Sequence, residues 1–455
     1  MKTPRNFSRR KFLATTTAAM ATVTILPSGL LKAAPNDKPN IAAVGVGGKG
    51  WGDITETSKD GAAQVVAFCD VETGGGRGRK ANSGFGAAAE KWPDANRYTD
   101  WREMLEKEGK RLNGITVSTP DHMHAPITMT AIQMGLATYT QKPLTRTIHE
   151  ARQLMLAARK AKVVTQMGNQ GHSGYGYRAL VALVQGGAIG KIKEAHAWSN
   201  RPIWPQGIDR PPGSSPVPET LNWDLWLGVA PERPYVDKAY APFNWRGWYD
   251  FGAGALGDMG CHILDPVVWS MELPAATRVY YGGPAAKPEA FPEWERIHYE
   301  FPATRYTDGP IHVIWYDGKQ SGEQVLPFAE LAPGAKIPTN GILLVGEKGT
   351  LLCEHGGSPK LLPEDKFKDV EQPKLPAQDH YLAWTNAIRG EGTTTSNFDY
   401  AGPLTETVLL GTIASRFPGE QLEWDSANLK FTNVPKANDY VQQPYRKGWE
   451  VPGLS

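Results

Sequence analysis

The sequence predicts an α/β protein in two halves, a doubly wound parallel sheet followed by an α+β half whose strands form an antiparallel meander. Three observations predict it. Strand-like and helix-like stretches alternate from residue 39 to residue 166, the pattern of a parallel sheet covered on both faces. A glycine-rich turn joins the first of those strands to the first helix. Beyond residue 277 the strand-like stretches follow one another with only turn residues between them.

The first strand, Asn40-Ile41-Ala42-Ala43-Val44, runs into Gly45-Val46-Gly47-Gly48-Lys49-Gly50 and a helix from Trp51. Gly45 permits the tight turn, Gly47 lets backbone approach a pyrophosphate, and Gly50 lets helix and strand pack closely; Gly48 completes the cradle. A second strand, residues 64–69, ends in Asp70, an acid at the distance expected for one that receives the adenosine ribose hydroxyls. That favours NAD. Arg77-Gly78-Arg79-Lys80 could meet a 2′-phosphate, so NADP stays possible. Asp70 is also compatible with a plain turn residue.

Residues 101–106 show a helical face, and residues 114–119 a strand that runs into Pro120-Asp121-His122-Met123-His124. Two histidines after a strand suggest a metal pair, but no third ligand is near. The loop reads more simply as a cofactor contact through Thr119, Pro120, His122 and His124. A helix over 125–134 leads to the strand Ala137-Thr138-Tyr139-Thr140-Gln141-Lys142, stopped by Pro143. A lysine at the carboxyl end of such a strand lies where open α/β sheets bind ligands. Partly withdrawn from water, it could serve in proton transfer. A solvated strand-end lysine is the plain alternative. The helix 147–160 and the strand 162–166 close the first half.

The chain has 455 residues, 40% hydrophobic and 21% charged, the composition of a soluble globular protein of two or three domains. Its formal net charge is +2, but six cations fall in the first 34 residues, which hold no acid, so the remainder carries −4. Nothing there suggests a nucleic-acid partner, and no basic run follows beyond Arg77-Gly78-Arg79-Lys80, so none is expected. The 15 Trp and 16 Tyr suit a core and also a carbohydrate site, where rings cover the apolar faces of a sugar. Ser8-Arg9-Arg10-Lys11-Phe12-Leu13, an Ala- and Thr-rich apolar run and Lys32-Ala33-Ala34 describe an export signal over residues 1–34 that resembles a twin-arginine signal. The apolar run is too mild for a permanent membrane span, and a periplasmic destination is expected. Cys69, Cys261 and Cys353 make neither a disulfide framework nor a metal site.

The chain resembles the Gfo/Idh/MocA family (glucose–fructose oxidoreductase, inositol dehydrogenase and rhizopine catabolism). The resemblance rests on the glycine turn, Thr119-Pro120-Asp121-His122-Met123-His124, Gln141-Lys142-Pro143 and Gly257-Asp258-Met259-Gly260-Cys261-His262-Ile263-Leu264-Asp265. It implies a Rossmann domain, residues 38–166, and a substrate-binding and dimerisation domain, residues 167–455, with an open, mainly antiparallel sheet at the cofactor. It also implies hydride transfer between a nicotinamide and a sugar or polyol carbon, and a homo-oligomer, since the family's sheet often pairs. The family's lysine motif is usually Glu-Lys-Pro, so Gln141 is a departure that bears on the lysine and its nicotinamide contacts. By the same resemblance Lys142 steadies the reacting oxygen and touches the nicotinamide.

In the second half, Asn169 and His172 lie in an amide- and glycine-rich loop that suits substrate hydrogen bonds or a simple linker. Residues 177–185 read as a helix and 191–198 as a strand. The proline-rich stretch that follows holds Trp204, Trp223, Trp226, Trp245, Arg246 and Trp248. Of these, Trp204 and Trp245 are expected to line a sugar pocket beside Arg246. Helical spacing of four places Asp258 and His262 on one face. An acid beside an imidazole raises its basicity and fixes its tautomer, which suits a base for a hydroxyl proton. Spacing alone equally describes a capping Asp and a core His; the resemblance decides for catalysis by Lys142, Asp258 and His262. The expected activity is that of an exported NAD(P)-dependent oxidoreductase acting on a ring hydroxyl of a sugar or glycoside. Two alternatives are a glycosidase that works by transient oxidation and elimination, and a non-catalytic carbohydrate-binding protein.

Overall fold

The structure is a computed structural model that describes residues 38–74 and 82–455. The export signal and Arg77-Gly78-Arg79-Lys80 lie outside the described residues. Among the described residues no helix is long and apolar enough to cross a membrane.

The first half is β1 (Asn40–Val44), α1 (Lys49–Thr57), β2 (Gln64–Cys69), α2 (Phe85–Lys91), β3 (Asn96–Tyr98), α3 (Trp101–Glu108), β4 (Gly114–Val117), α4 (His124–Gln133), β5 (Ala137–Thr140), α5 (Ile148–Ala161) and β6 (Thr165–Met167). The six strands are parallel in the order β3-β2-β1-β4-β5-β6. That is the doubly wound order, whose switch point falls between β1 and β4. β1, β4 and β5 are almost wholly buried, as strands covered by helices on both faces must be. α5 begins with a capping box, Thr147 and Glu150 each satisfying the other's backbone N–H.

The second half continues with α6 (Tyr175–Gln185), β7 (Ile192–Trp198), α7 (Trp223–Leu227), α8 (Gly254–Ile263), α9 (Asp265–Met271), β8 (Arg278–Gly282), β9 (Trp294–Phe301), β10 (Thr307–Gln320), β11 (Glu323–Gln324), β12 (Gly341–Gly346), β13 (Thr350–Glu354), β14 (Pro359–Leu362), α10 (His380–Ile388), α11 (Phe398–Ala414), β15 (Gln421–Asp425) and β16 (Lys430–Phe431). Ten of its strands form one sheet in the order β14-β13-β12-β7-β10-β9-β8-β15-β16, with β11 on β10. Every pairing is antiparallel except β7 with β10. The early strand β7 has entered the middle of the later meander, so the sheet is mixed but mainly antiparallel, as expected.

The proline-rich stretch between β7 and α8 has little regular structure but a packed interior of its own: Leu221, Trp226, Tyr235, Tyr240, Trp245, Trp248 and Phe251. α8 lies against α11 through small residues; a Cβ on Gly260 would stand 3.1 Å from Val408. This close approach sets the height of Asp258 and His262.

The two halves interleave. α10 returns to the first sheet, where buried Trp384 packs with Ile41, Ala43 and Tyr139, its ring 6.0 Å from that of Tyr139. Gly114 leaves room for it, since a Cβ there would meet the indole at 2.9 Å. Trp384→Ala is therefore expected to cost about 3–5 kcal/mol in urea unfolding. If α10 were a mere appendage, the loss would be a small fraction of that.

Candidate active site at the junction of the two sheets

Three strand ends build the floor. At the end of β1, Gly45 has φ +82°, and a Cβ there would fall 2.6 Å from the Ser118 carbonyl oxygen. Gly50 sits so close beneath that a Cβ would fall 2.0 Å from the Gly45 oxygen, so helix and strand touch as the sequence requires. Gly47 and Gly48 face open space: nothing lies within 4 Å of a Cβ on Gly48, and only Asp70 Oδ2, at 4.0 Å, borders one on Gly47. No side chain caps the N-terminus of α1. An open, glycine-lined helix N-terminus at the switch point fits a dinucleotide pyrophosphate. Asp70 accepts the Val46 N–H at 2.9 Å and the Glu72 N–H at 3.1 Å, so it also holds the turn. Each of its oxygens keeps a second lone pair for a ribose hydroxyl.

At the end of β5, Gln141 donates its amide to Asp53 Oδ2 at 2.8 Å. Asp53, fully buried on α1, also accepts the Ser118 hydroxyl at 2.7 Å and pairs with Lys49. The carboxylate missing from position 141 is thus supplied by the glycine-turn helix, and the amide is the partner it needs. A Cβ on Gly168 would meet the Gln141 amide at 2.4 Å, so glycine makes its room.

Lys142 crosses to the second half. Its Nζ donates to the Asp258 carbonyl at 2.6 Å and to Asp258 Oδ1 at 2.9 Å. Arg246 Nε reaches the same Oδ1 at 3.2 Å, and Arg201 Nε stands 3.8 Å from Oδ2. Burial works against the Asp258 anion, but Lys142, Arg246 and Arg201 outweigh it and hold the carboxyl well below the usual range. Asp121, buried beside them, has the opposite balance: burial raises it to about 7 against the pull of Lys142 and Arg246.

His262 lies one turn beyond Asp258 on α8, but no hydrogen bond joins them, and its basicity is not raised. Burial, then the Lys142 charge, then His355 push it well below the ordinary imidazole value, and Asp258 offsets only part of this. Nδ1 of His262 is buried without a partner. The ring stands 5.6 Å from that of His355, whose Nδ1 is 2.6 Å from the Tyr177 hydroxyl.

Of the other expected contacts, all but the Thr119 hydroxyl are held or covered by the protein itself. His122 lies 3.3 Å from the Phe251 carbonyl and 3.0 Å from that of Trp226. His124 lies 2.8 Å from the Pro143 carbonyl and 2.9 Å from that of Thr119. Two carbonyls favour a doubly protonated ring, but burial outweighs them and brings His122 to about 3 and His124 to about 4. His122 therefore ties the halves together and His124 steadies the strand end at Lys142. Thr119 keeps a buried hydroxyl without a partner, and Pro120 opens the turn that holds His122. His172 is bound to Asp265 at 2.9 Å and stacked on Trp269 at 4.1 Å. Asn169 is held by Asp265 at 3.3 Å and Ser396 at 2.6 Å. Trp204 and Trp245 are only 5% and 7% exposed and bed the Arg246 guanidinium, which stands 5.7 and 4.2 Å from their ring centres. Among the described residues no cluster of three His, Cys, Asp or Glu could hold a metal.

Sequence reasoning missed Asp53, Asp121, Arg201, Tyr177 and His355. Asp121 sat inside a motif already quoted. Arg201 follows a strand end. Tyr177 and His355 meet only through tertiary packing and left no local signal.

The chain belongs to the Gfo/Idh/MocA family. The family's model for "Oxidoreductase family, NAD-binding Rossmann fold" matches residues 40–169, and its model for "Oxidoreductase family, C-terminal alpha/beta domain" matches residues 192–338. The first half is therefore an NAD-binding domain. The chain is 25% identical over 184 residues to a levoglucosan dehydrogenase of Pseudarthrobacter phenanthrenivorans, covering 39% of this chain and 37% of that protein. It is 33% identical over 131 residues to a glycosyl hydrolase family 109 protein of Stenotrophomonas maltophilia, covering 28% of each. The matched stretches thus span only 37% and 28% of these relatives' length. The fold is that of the WlbA dehydrogenase of Bordetella pertussis, solved with NADH and UDP-GlcNAcA: TM-score 0.58, 16% identity, 86% of this chain and 99% of that one.

Gln141→Glu would set two carboxylates against each other. It is expected to cost about 1–3 kcal/mol at pH 8, less at pH 5 where one acid takes a proton, with Asp53→Asn restoring the loss; urea melts at the two pH values check this. Asp121 holds its proton longer in the folded than in the unfolded chain, so its contribution to stability falls as pH rises from about 4 to about 7. In Asp121→Asn that part of the stability–pH slope should vanish, read by denaturant unfolding across the window.

Proposed function

We propose that the protein is an exported, NAD-dependent oxidoreductase that removes hydride from a ring hydroxyl of a sugar or glycoside. The observation that carries this reading is the Lys142–Asp258 pair, with the buried, unpartnered His262 one helical turn on, at the carboxyl end of the sheet that bears the glycine turn. Bound NAD supplies a two-electron acceptor there. The chain's own groups handle the oxygen and its proton. Lys142 spends two of its three N–H donors on Asp258 and keeps one for the reacting oxygen. Asp258, held anionic, keeps that ammonium aimed. His262 is neutral, buried and unpartnered at Nδ1, the state of a group that takes a hydroxyl proton as hydride leaves the same carbon. Arg246 and Arg201 fix the carboxylate, and His355, held by the Tyr177 hydroxyl, stands 5.6 Å from the His262 ring.

The levoglucosan dehydrogenase relative supports a sugar substrate. The twin-arginine-like segment supports export, with a periplasmic destination. Outside the cytoplasm no nicotinamide pool exchanges with the enzyme. Hydride taken from one carbon must therefore return to that carbon or to a second carbonyl, a closed redox cycle around a tightly held cofactor. The stretch shared with a glycosyl hydrolase family 109 protein favours one form of that cycle as a second reading. Brief oxidation acidifies the neighbouring C–H, the glycosidic bond is eliminated, and the hydride returns. The family's open sheet supports a homo-oligomer.

Purified protein mixed with a panel of sugars and glycosides, followed by the near-ultraviolet band of reduced nicotinamide, tests these readings. A lasting band means oxidation; free aglycone without net reduction means the glycosidase; sugar binding with neither means a binding protein and overturns both. Lys142→Met and His262→Ala should each lower kcat by about 10²–10⁴-fold with NAD still bound. Turnover that survives both substitutions sinks the assignment.

A further inference from the structure

A second constellation lies apart from this site. A small cavity of about 20 Å³ is enclosed by Arg146, Tyr249, Arg416, Gln443, the N-terminal turn of α5 and the apolar side of α11. It has room for a single small occupant. Two guanidinium groups border it. Arg146 is 8% exposed; it donates to the Tyr249 carbonyl at 3.1 Å and to Gln443, and its Nε is buried without an acceptor. The Arg416 guanidinium carbon stands 3.4 Å from the centre of the Tyr249 ring and 4.2 Å from that of Tyr440. Burial disfavours its charge, and the two rings and a hydrogen bond to Tyr440 offset only part of that. The Tyr249 hydroxyl is a second buried donor with no partner, and Tyr249 is 6% exposed.

No carboxylate answers these charges. Neither arginine has an ion pair among the described residues. Asp250 pairs with Arg233, and Glu150 is committed to the Thr147 capping box and to the Tyr445 hydroxyl at 2.6 Å. Thr147 and Ile148 bring the positive end of a 14-residue helix to the same wall. Two withdrawn cations without a counter-charge are costly, and so are orphaned donors. A single anion relieves both.

We propose that this cavity binds one small monovalent anion, chloride in size and charge, between the guanidinium groups of Arg146 and Arg416. The walls from Ala253, Phe291, Leu409 and Ile413 suit a weakly hydrated ion. The anion is a staple. It joins the segment after Lys142, the Tyr249–Ala253 approach to α8, the end of α11 and the C-terminal stretch at Tyr440. Loss of the ion therefore loosens the seam that holds Lys142 against Asp258.

The test is thermal melting of the full chain in sodium chloride against sodium gluconate at constant ionic strength, with crystals of the same protein grown in sodium bromide. Chloride should raise the melting temperature saturably by about 2 °C or more, Arg416→Met should abolish the rise, and bromide should give an anomalous peak between Arg146 and Arg416. Equal melting in the two salts, a rise that Arg416→Met keeps, or ordinary water in the cavity in bromide overturns the proposal. If Arg416→Met does not fold, the bromide density of the parent protein decides alone.

Discussion

The contact on which the rest depends is the one between Lys142 and Asp258, because it joins two halves that otherwise fold by different rules. The lysine comes from a strand end of a parallel sheet, the aspartate from a helix laid on a meander. Both side chains are mostly withdrawn from water, 14% and 13% exposed. Such a pair adds little net stability, because desolvation consumes most of the attraction. Leu or Met at both positions would hold the halves together as well. The pair makes sense when the ammonium must face a reacting oxygen, and the surroundings agree: Arg246 and Arg201 reinforce the carboxylate instead of replacing the lysine.

Two histidine–aspartate arrangements among the described residues differ in a way that supports the proposed site. His172 and Asp265 are hydrogen-bonded, stacked on Trp269 and closed in by Tyr400 and Asn169. His172 Nδ1, both Asp265 oxygens and the Asn169 amide are hydrogen-bonded inside the protein, so the pair braces α9. His262 and Asp258 do not touch, and the imidazole keeps an orphaned nitrogen. An unsatisfied buried nitrogen is a cost, and it is tolerated where a ligand settles it.

The sequence made legible whatever depends on neighbours in the chain. The glycine turn, the alternation of strands and helices and the strand-end lysine could be read because each needs particular residues at fixed short spacings. Two errors share one cause. His122 and His124 looked available because they follow a strand, yet carbonyls from α7, from Phe251 and from the lysine strand close around them. Trp204 and Trp245 looked like sugar platforms because they sit in a long loop, yet that loop makes its own aromatic interior. Burial by distant segments erases local availability, and no periodicity reports it. The same blindness hid Tyr177 and His355, which meet across a helix and a hairpin.

Position 141 shows how such distant pairings redirect function. A glutamate there would place its charge on the lysine's own strand, and the first half alone would tune the ammonium. With glutamine, the amide turns to Asp53, and that carboxylate is occupied by Lys49 and Ser118. Among the described residues the only carboxylate that hydrogen-bonds Lys142 is then Asp258, delivered by the second half. The lysine is therefore fully set only when α8 is seated on α11 and the seam at Arg146 is closed. In this chain the setting of the Lys142 ammonium and the docking of the two halves are one variable, so on the proposed reading anything that loosens the seam acts on the chemistry without touching a substrate.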